Sequence, residues 1–176
     1  QHDAPAIERL GIPAYNWWNE ALHGVAAVEL RLFSQAIAMA ASFNEDLMYK
    51  VAEDISNEVR AKYNGTNHLD QQKYIRTYLL GAEHKYFQDP RWGRGHETYG
   101  EDPYLAGVLG TAFVKGMQGD GKYRKTDATL KHFAVHSGPE GIRHSFNSVV
   151  SEKDLRETYL WAFKYCIDNA EPAAVM

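Results

Sequence analysis

The sequence has little cysteine, no long hydrophobic run and no excess of positive charge. Cys166 is the only cysteine, so no disulfide can form within these residues, and its place in a predicted helix indicates a buried free thiol. No segment has the roughly 20 consecutive apolar residues that a membrane-spanning helix needs. The formal net charge of -4 provides no basic surface for nucleic acid or an anionic membrane, so neither is an expected partner.

What the sequence does contain is the length of one domain and many aromatic side chains. The 176 residues predict a single domain, 1–176, with one hydrophobic core. Four tryptophans and eleven tyrosines, several beside polar residues, are typical of surfaces that stack on sugar rings. Most aromatic side chains of any protein belong to its core, so the aromatic content supports sugar binding only at particular sites.

Capping residues and apolar spacing predict three helices. The first covers 44–63, with Asn44 as its N-cap and apolar side chains at every fourth position from Leu47. A second opens at Asp102-Pro103 and ends before a glycine-rich turn. A third opens with a capping-box pattern at 151–154 and continues through Ile167.

The strand patterns at 128–135 and 173–176 complete an alternation of strands and helices. This order favours a parallel α/β sheet, either an open doubly wound sheet or a closed eightfold barrel. A complete barrel typically needs about 250 residues, so a barrel here is expected to be partial. Because the chain ends where a strand begins, we also expect it to be part of a longer polypeptide whose C-terminal part is missing.

The first polar and aromatic cluster spans residues 15–24. One interpretation is a sugar pocket, in which Glu20 accepts hydrogen bonds from two hydroxyls while Trp17 covers a ring face. The alternative is the start of a helix with a surface glutamate and core tryptophans. The sequence alone leaves both interpretations open.

The second cluster, residues 89–102, is rich in charge and glycine and precedes a predicted helix. It suits a loop over a barrel mouth, because glycine permits unusual backbone angles and arginine supplies forked donors. The alternative is an internally salt-bridged structural loop, since Asp89, Glu101 and Asp102 have arginine neighbours. We expect one arginine to face a ligand and the others to be structural.

The third cluster covers residues 131–140. Lys131 and His132 fall late in a predicted strand, where barrel enzymes place their site residues. Adjacent strand residues point to opposite faces, so both side chains reach one ligand only if the backbone kinks between them. We therefore predict a strained or cis non-proline peptide near residues 131–133.

Neither a metal nor a cofactor is predicted. His132, His136 and His144 match no metal-binding helical pair, and no cysteine assists them. The chain also lacks a glycine-rich strand–helix junction of the dinucleotide or P-loop type, which argues against a nucleotide-binding open sheet.

Together the three clusters resemble glycoside hydrolase family 3, in its N-terminal (β/α)8 domain. The segments YNWWNEALHGVA, DPRWGRGHETYGEDPYL and KHFAVHSGPE carry the resemblance, which covers nearly the whole chain. The first segment is most similar to the β-xylosidase branch of the family. The resemblance implies a partial TIM barrel and a retaining hydrolase, whose two catalytic carboxyl groups lie about 5–5.5 Å apart.

The resemblance also assigns binding roles by position. Glu20 matches the family's first sugar-binding carboxylate, and Arg94 matches its sugar-hydroxyl donor. Lys131 and His132 match the pair that holds the glycone in the −1 subsite, and Met176 matches a methionine near the subsite wall. The candidate substrate-binding residues are therefore Glu20, Arg94, Lys131, His132, Trp17, Trp92 and Met176.

No catalytic residue is assigned in this chain. The resemblance implies an aspartate nucleophile on a strand beyond Met176 and a glutamate acid/base in a following domain. Relatives that act on N-acetylglucosamine use an Asp-Ser-His loop instead, but the comparable loop here, 141–145, lacks the aspartate. Residues 74–88 and Ser34 also depart from the family pattern, which affects the third-strand side of the pocket.

The implied function is exo-β-xylosidase hydrolysis of xylo-oligosaccharides in xylan breakdown, by an extracellular or periplasmic protein. β-Glucosidase or α-L-arabinofuranosidase specificity remains an alternative, as does a catalytically inactive sugar-binding or structural fragment. Because hydrolysis needs both carboxyl groups, the isolated chain is expected to be inactive.

Overall fold

A computed structural model of the chain describes residues 3–16, 19–26, 31–65, 78–83 and 89–176. A short antiparallel ribbon, β1 (Asp3–Ala4) and β2 (Tyr15–Asn16), comes first. The further elements, in chain order, are α1 (Ala36–Ala40), α2 (Glu45–Gly65), β3 (Tyr78–Glu83), α3 (Pro103–Gln118), β4 (Asp127–Lys131), α4 (Glu152–Asp154), a π-helical turn (Leu155–Tyr159), α5 (Trp161–Ala170) and β5 (Ala174–Val175).

The larger sheet is parallel and has β4 between β3 and β5. α3 connects β3 to β4, and the segment with α4 and α5 connects β4 to β5. These connections repeat the β–α unit of a (β/α)8 barrel. Residues 128–131 are all buried, as expected for a parallel strand that is covered on both faces. The predicted class, a partial α/β barrel, is confirmed.

The predicted start of α2 is confirmed by its cap. The Asn44 Oδ1 atom accepts a hydrogen bond from the Leu47 N–H at 2.9 Å, which satisfies one of the free donors of the first turn. From Val51 to Val59 the predicted apolar stripe is buried, whereas Leu47 is 41% exposed. The helix ends at Gly65, two residues beyond the predicted end at 63.

α3 begins as predicted and lies at the centre of the helical packing. The Asp102 side chain accepts a hydrogen bond from the Leu105 N–H at 2.8 Å, and Pro103 takes the first helical position. Most of the helix is buried, because α2 packs against it on one side and α5 on the other. This packing supports β4, whose C-terminal end carries the third cluster.

The third predicted helix is interrupted. Its start is confirmed, since the Ser151 Oγ atom accepts a hydrogen bond from the Asp154 N–H at 3.0 Å. The expectation of one regular helix through Ile167 is wrong, because the Leu160 N–H bonds to the Leu155 carbonyl in a π-helical turn. The wider turn adds one residue, so four-residue spacing no longer follows one face and Ile167 is 45% exposed.

Cys166 is fully buried in α5, which confirms the predicted buried free thiol. Burial raises the pKa of this thiol from 9.0 to about 12, because a thiolate loses its hydration in an apolar setting. Among the described helices, none combines the length and apolarity needed to cross a membrane.

Candidate functional site

Glu20 lies on a loop, residues 19–26, rather than on a helix. The loop closes on itself, since the Ala26 N–H donates to the Glu20 carbonyl oxygen at 2.9 Å. Gly24 has a φ of +122°, and a Cβ atom on it would overlap the backbone carbonyl of Arg31. Within residues 19–26, the alternative of a helix start is therefore wrong, and the loop has a path that only glycine permits at this position.

Lys131 is the buried partner of Glu20. It is the last residue of β4 and its side chain is 2% exposed. Its Nζ atom donates a hydrogen bond to the Glu20 Oε2 atom at 2.8 Å, and the glutamate side chain is 38% exposed. The buried cation therefore holds the carboxylate at the solvent-facing end of the strand.

The backbone leaves strand geometry directly after Lys131. The peptide bond between Lys131 and His132 is cis, and so is the bond between Phe133 and Ala134. The predicted cis non-proline peptide near residues 131–133 is confirmed. The predicted strand over 128–135 is wrong beyond Lys131, because residues 132–135 form a bend and a turn instead of continuing the sheet.

Arg94 brings the second cluster to the third. Its Nη1 atom lies 3.4 Å from the His132 Nε2 atom. A guanidinium can only donate, so the His132 Nε2 atom is the acceptor in this contact. The imidazole also packs edge-on against the ring of His136, with 5.1 Å between the ring centroids.

Glu97 holds the opposite edge of the Arg94 guanidinium. The Arg94 Nε atom donates to the Glu97 Oε1 atom at 2.8 Å, and Nη2 donates to Oε2 at 2.5 Å. Both side chains are largely buried, at 24% and 17% exposure. Glu97 was not among the residues predicted from the sequence, although its three-residue spacing from Arg94 was a usable signal for an ion pair.

The Lys131–Glu20 and Arg94–His132 contacts meet at one cavity of about 340 Å³. Glu20, Arg94 and Glu97 line it directly, while Lys131 and His132 contact lining residues. The structure thus brings together Glu20, Arg94, Lys131 and His132, as the sequence analysis expected. His23 and Gln35 also line the cavity, and each has one buried polar atom with no hydrogen-bond partner among the described residues.

The other three candidate binding residues are placed differently. Trp92 is 5% exposed and lines a neighbouring cavity of about 410 Å³ together with Glu140 and Phe146. Met176 is 46% exposed, and its backbone pairs with Leu130 and Phe133 beside the cis peptides. Trp17 lies outside the described residues, as do 74–77 and 84–88 of the divergent segment.

The first arginine of the second cluster, Arg91, is exposed, pairs with Asp89 and also lines the 410 Å³ cavity. Arg91 donates from Nε to the Asp89 Oδ1 atom at 2.8 Å and from Nη2 to Oδ2 at 2.5 Å. These bonds lower the pKa of the Asp89 carboxyl from 3.8 to about 2. The loop therefore contains one arginine that is engaged locally, Arg91, and one that lines the 340 Å³ cavity, Arg94.

No metal-binding group of three or more His, Cys, Asp or Glu side chains occurs in the part of the chain that the structure describes. His132 and His136 contact each other through their rings, whereas His144 accepts from the Arg143 Nε atom at 3.4 Å. The arrangement at the cavity is one of paired charges and hydrogen-bond donors, which suits a polar uncharged ligand.

Fold and site together define an α/β-barrel segment with a charged, hydrogen-bonding cavity at the C-terminal end of a parallel strand. Residues 87–176 match the sequence profile described as the Glycosyl hydrolase family 3 N terminal domain. The chain belongs to glycosyl hydrolase family 3.

Similar proteins agree with this membership. Over 181 residues the chain is 47% identical to a Xylan 1,4-beta-xylosidase of Xylanibacter ruminicola, covering 99% of this chain and 21% of that protein. It is 37% identical to Probable beta-D-xylosidase 7 of Arabidopsis thaliana, covering 98% of this chain and 25% of the relative. The chain thus spans about a fifth to a quarter of the length of these relatives.

Solved structures show the same backbone arrangement. The GH3 exo-beta-xylosidase XlnD, in complex with a xylobiose aziridine probe, aligns with a TM-score of 0.80 at 31% identity, over 97% of this chain and 23% of that one. A beta-glucosidase from Kluyveromyces marxianus aligns with a TM-score of 0.78 at 33% identity, over 99% of this chain and 19% of that one.

Proposed function

We propose that the protein is a retaining exo-β-xylosidase that acts on xylo-oligosaccharides outside the cell or in the periplasm. In this proposal residues 1–176 belong to its N-terminal barrel domain and hold the terminal xylose. The observation that supports it most directly is the meeting of the Lys131–Glu20 and Arg94–His132 contacts at one cavity. The xylosidase names of the relatives support the choice of sugar.

The charges around the cavity suit a neutral sugar. Lys131 and Arg94 supply cations, while Glu20 and Glu97 supply an equal number of carboxylates within hydrogen-bond distance of them. A sugar hydroxyl both donates and accepts, so it can bridge the donor and acceptor of such a pair. Because the ligand brings no charge, the protein must balance its own partly buried ions, and the paired arrangement does so.

In the proposed mechanism these residues bind and orient the glycone, and they do not attack it. Hydrogen bonds to sugar hydroxyls contribute to catalysis when they strengthen as the ring flattens toward the oxocarbenium-like transition state. Arg94 and Lys131 can donate such bonds, and the Glu20 carboxylate can accept them. The nucleophile and the acid/base are proposed to lie outside residues 1–176.

The function can be tested by comparing two proteins. The complete product of the gene that encodes these residues is expected to release xylose from an aryl β-xyloside with retention of anomeric configuration. The 176-residue chain alone is expected to release none above background, because the two catalytic carboxyl groups act together. A complete gene product that binds xylose without hydrolysing xylosides would instead indicate a sugar-binding protein, and turnover by the short chain would contradict the placement of the carboxylates.

Glu20 is proposed to contribute to selection of a pentose. Its side chain is one methylene longer than aspartate, so the carboxylate reaches further into the cavity, where a hexose would place its hydroxymethyl group. One methylene is worth about 1–3 kcal/mol of discrimination. In the complete gene product, Glu20→Asp is expected to reduce the ratio of kcat/KM for aryl β-xyloside over aryl β-glucoside by about tenfold. An unchanged ratio would remove this explanation of specificity.

A further inference from the structure

Glu97 lines the cavity, but it is not one of the residues proposed to bind the sugar. It touches Arg94 through both carboxylate oxygens and sits on the 3₁₀ turn Gly95–Glu97. We propose that Glu97 is a positioning residue, which fixes the Arg94 guanidinium so that its Nη1 atom faces His132 and the glycone. This inference rests on the proposed function and concerns the same site.

The local backbone places the two side chains together. The Glu97 N–H donates to the Arg94 carbonyl at 3.0 Å, which closes the turn. A 3₁₀ turn has three residues per turn, so side chains at positions i and i+3 lie one above the other. Thr98 secures the end of the turn, because its Oγ1 atom donates to the Gly95 carbonyl at 2.8 Å. Glu97 is therefore held beside Arg94 by backbone geometry before any ligand arrives.

The atoms that Glu97 engages decide how the guanidinium is oriented. Its two oxygens bond to Nε and Nη2, which is the bidentate geometry that carboxylates form with one edge of arginine. The planar group is fixed by two parallel bonds, and Nη1 is then directed toward the His132 Nε2 atom, 3.4 Å away. A single hydrogen bond to Arg94 would leave rotation about that bond possible, whereas two bonds remove it.

Charge balance supplies a second reason for the arrangement. Arg94 is 24% exposed and the proposed substrate is neutral, so the substrate supplies no charge that balances the partly buried cation. A carboxylate from the protein is needed to balance it, and Glu97, 17% exposed, is in place to do so. A misdirected guanidinium would donate to the wrong hydroxyl or to none, and misplacement by about 1 Å can reduce a rate about 100-fold.

The test uses substitutions in the complete gene product. Glu97→Gln keeps the shape of the side chain but turns one acceptor into a donor that opposes the guanidinium. We expect kcat/KM for an aryl β-xyloside to fall about 100-fold, with part of the loss in KM. Glu97→Asp keeps the charge on a shorter arm and is expected to restore part of that loss. The matched control is Glu152→Gln, which breaks an exposed pair between Glu152 on α4 and Arg156 in the following π-helical turn and should change kcat/KM less than twofold.

A double-mutant cycle separates positioning from a merely structural role. If Glu97 acts through Arg94, the variant R94A/E97Q is expected to be no more than about threefold less active than R94A. Losses that multiply, or a Glu97→Gln variant as active as wild type, would overturn the inference. If Glu97 had only a structural role, Glu97→Gln would lower the folded fraction of the protein, which reduces the apparent kcat and leaves KM unchanged. Its loss of activity would then add to the loss caused by R94A.

Two further results keep the inference separate from the proposed function. If wild type releases no xylose from any xyloside, the proposed function fails, and the positioning of Arg94 by Glu97 is judged by crystal structure alone. If wild type is active, the inference stands or falls on the variants. Should Glu97→Gln not fold, a wild-type crystal structure decides: both Glu97 oxygens on the Nε–Nη2 edge of Arg94 support the inference, and Glu97 turned away from Arg94 overturns it.

Discussion

Replacing Lys131 by methionine in the complete gene product is expected to lower kcat/KM for an aryl β-xyloside by about 100- to 1,000-fold, the range seen when a charge-stabilising donor is removed. The methylene chain is kept, so the cavity wall remains, but the cation 2.8 Å from the Glu20 Oε2 atom is lost. The glutamate then loses the bond that directs its carboxylate, and the glycone loses a donor. Both effects weaken the hydrogen bonds to the sugar hydroxyls at the Lys131–Glu20 pair.

The same substitution is expected to cost stability. Breaking a fully buried ion pair typically costs about 3–5 kcal/mol. Lys131 is 2% exposed, but Glu20 is 38% exposed, so water replaces part of the lost interaction and we expect about 2 kcal/mol. Urea unfolding followed by tryptophan fluorescence measures this loss, and steady-state kinetics on the folded variant measures the activity.

Lys125→Met is the matched control for Lys131→Met. The Lys125 Nζ atom lies 3.6 Å from the Glu53 Oε1 atom, and both side chains are substantially exposed, at 32% and 43%. An exposed pair contributes about 0–1 kcal/mol, so this variant should be nearly as stable and as active as wild type. Equal losses in the two variants, or Lys131→Met with kcat/KM within threefold of wild type, would contradict the assigned role.

Gly116→Ala is expected to destabilise the protein by about 2–3 kcal/mol, although alanine is ordinarily the better helix former by about 1 kcal/mol. Gly116 lies where α3 crosses α2. A Cβ atom there would lie 2.8 Å from the Ala52 Cβ atom and closer still to the Tyr49 backbone carbonyl. Backbone atoms cannot move aside without shifting a whole helix, so overpacking outweighs the gain in helix propensity.

Gly116 also accepts part of a buried hydrogen bond at this crossing, since the Ser56 hydroxyl is shared between the Glu53 carbonyl at 2.8 Å and the Gly116 carbonyl at 3.2 Å. Separating the helices stretches that buried bond as well. Gly141→Ala provides the comparison, because a Cβ atom there meets nothing within 4 Å among the described residues, and we expect a change of less than about 0.5 kcal/mol. Gly116→Ala as stable as wild type in urea unfolding would show that the helices adjust more freely than close packing allows.

Features encoded by neighbouring residues were predictable from the sequence. The caps at Asn44, Asp102 and Ser151 depend on a side chain that bonds to a backbone N–H three residues later, and the structure contains all three bonds. The burial of Cys166 followed from its place in a predicted helix, where a free cysteine is usually buried. The backbone kink after Lys131 was predictable because two adjacent polar residues were expected to serve one site.

Features that depend on distant contacts were not predictable. The π-helical turn after Asp154 has no sequence signal as simple as a cap, and it shifts the face on which Ile167 lies. The Lys131–Glu20 pair joins residues 111 positions apart, so the sequence suggested a common site but not an ion pair. Trp92 is two residues from Arg94 in the same motif, but the sequence did not show that it would line a second cavity.

In the proposed site four side chains hold one sugar ring, and a crystal structure of the complete gene product with xylose bound tests this most directly. We predict that the Lys131 Nζ and Arg94 Nη1 atoms donate hydrogen bonds to a single xylose, that the Glu20 carboxylate accepts a hydrogen bond from it, and that the His132 imidazole also bonds to it. Xylose bound at a different cavity, or at this cavity without contacts to these four side chains, would contradict the account.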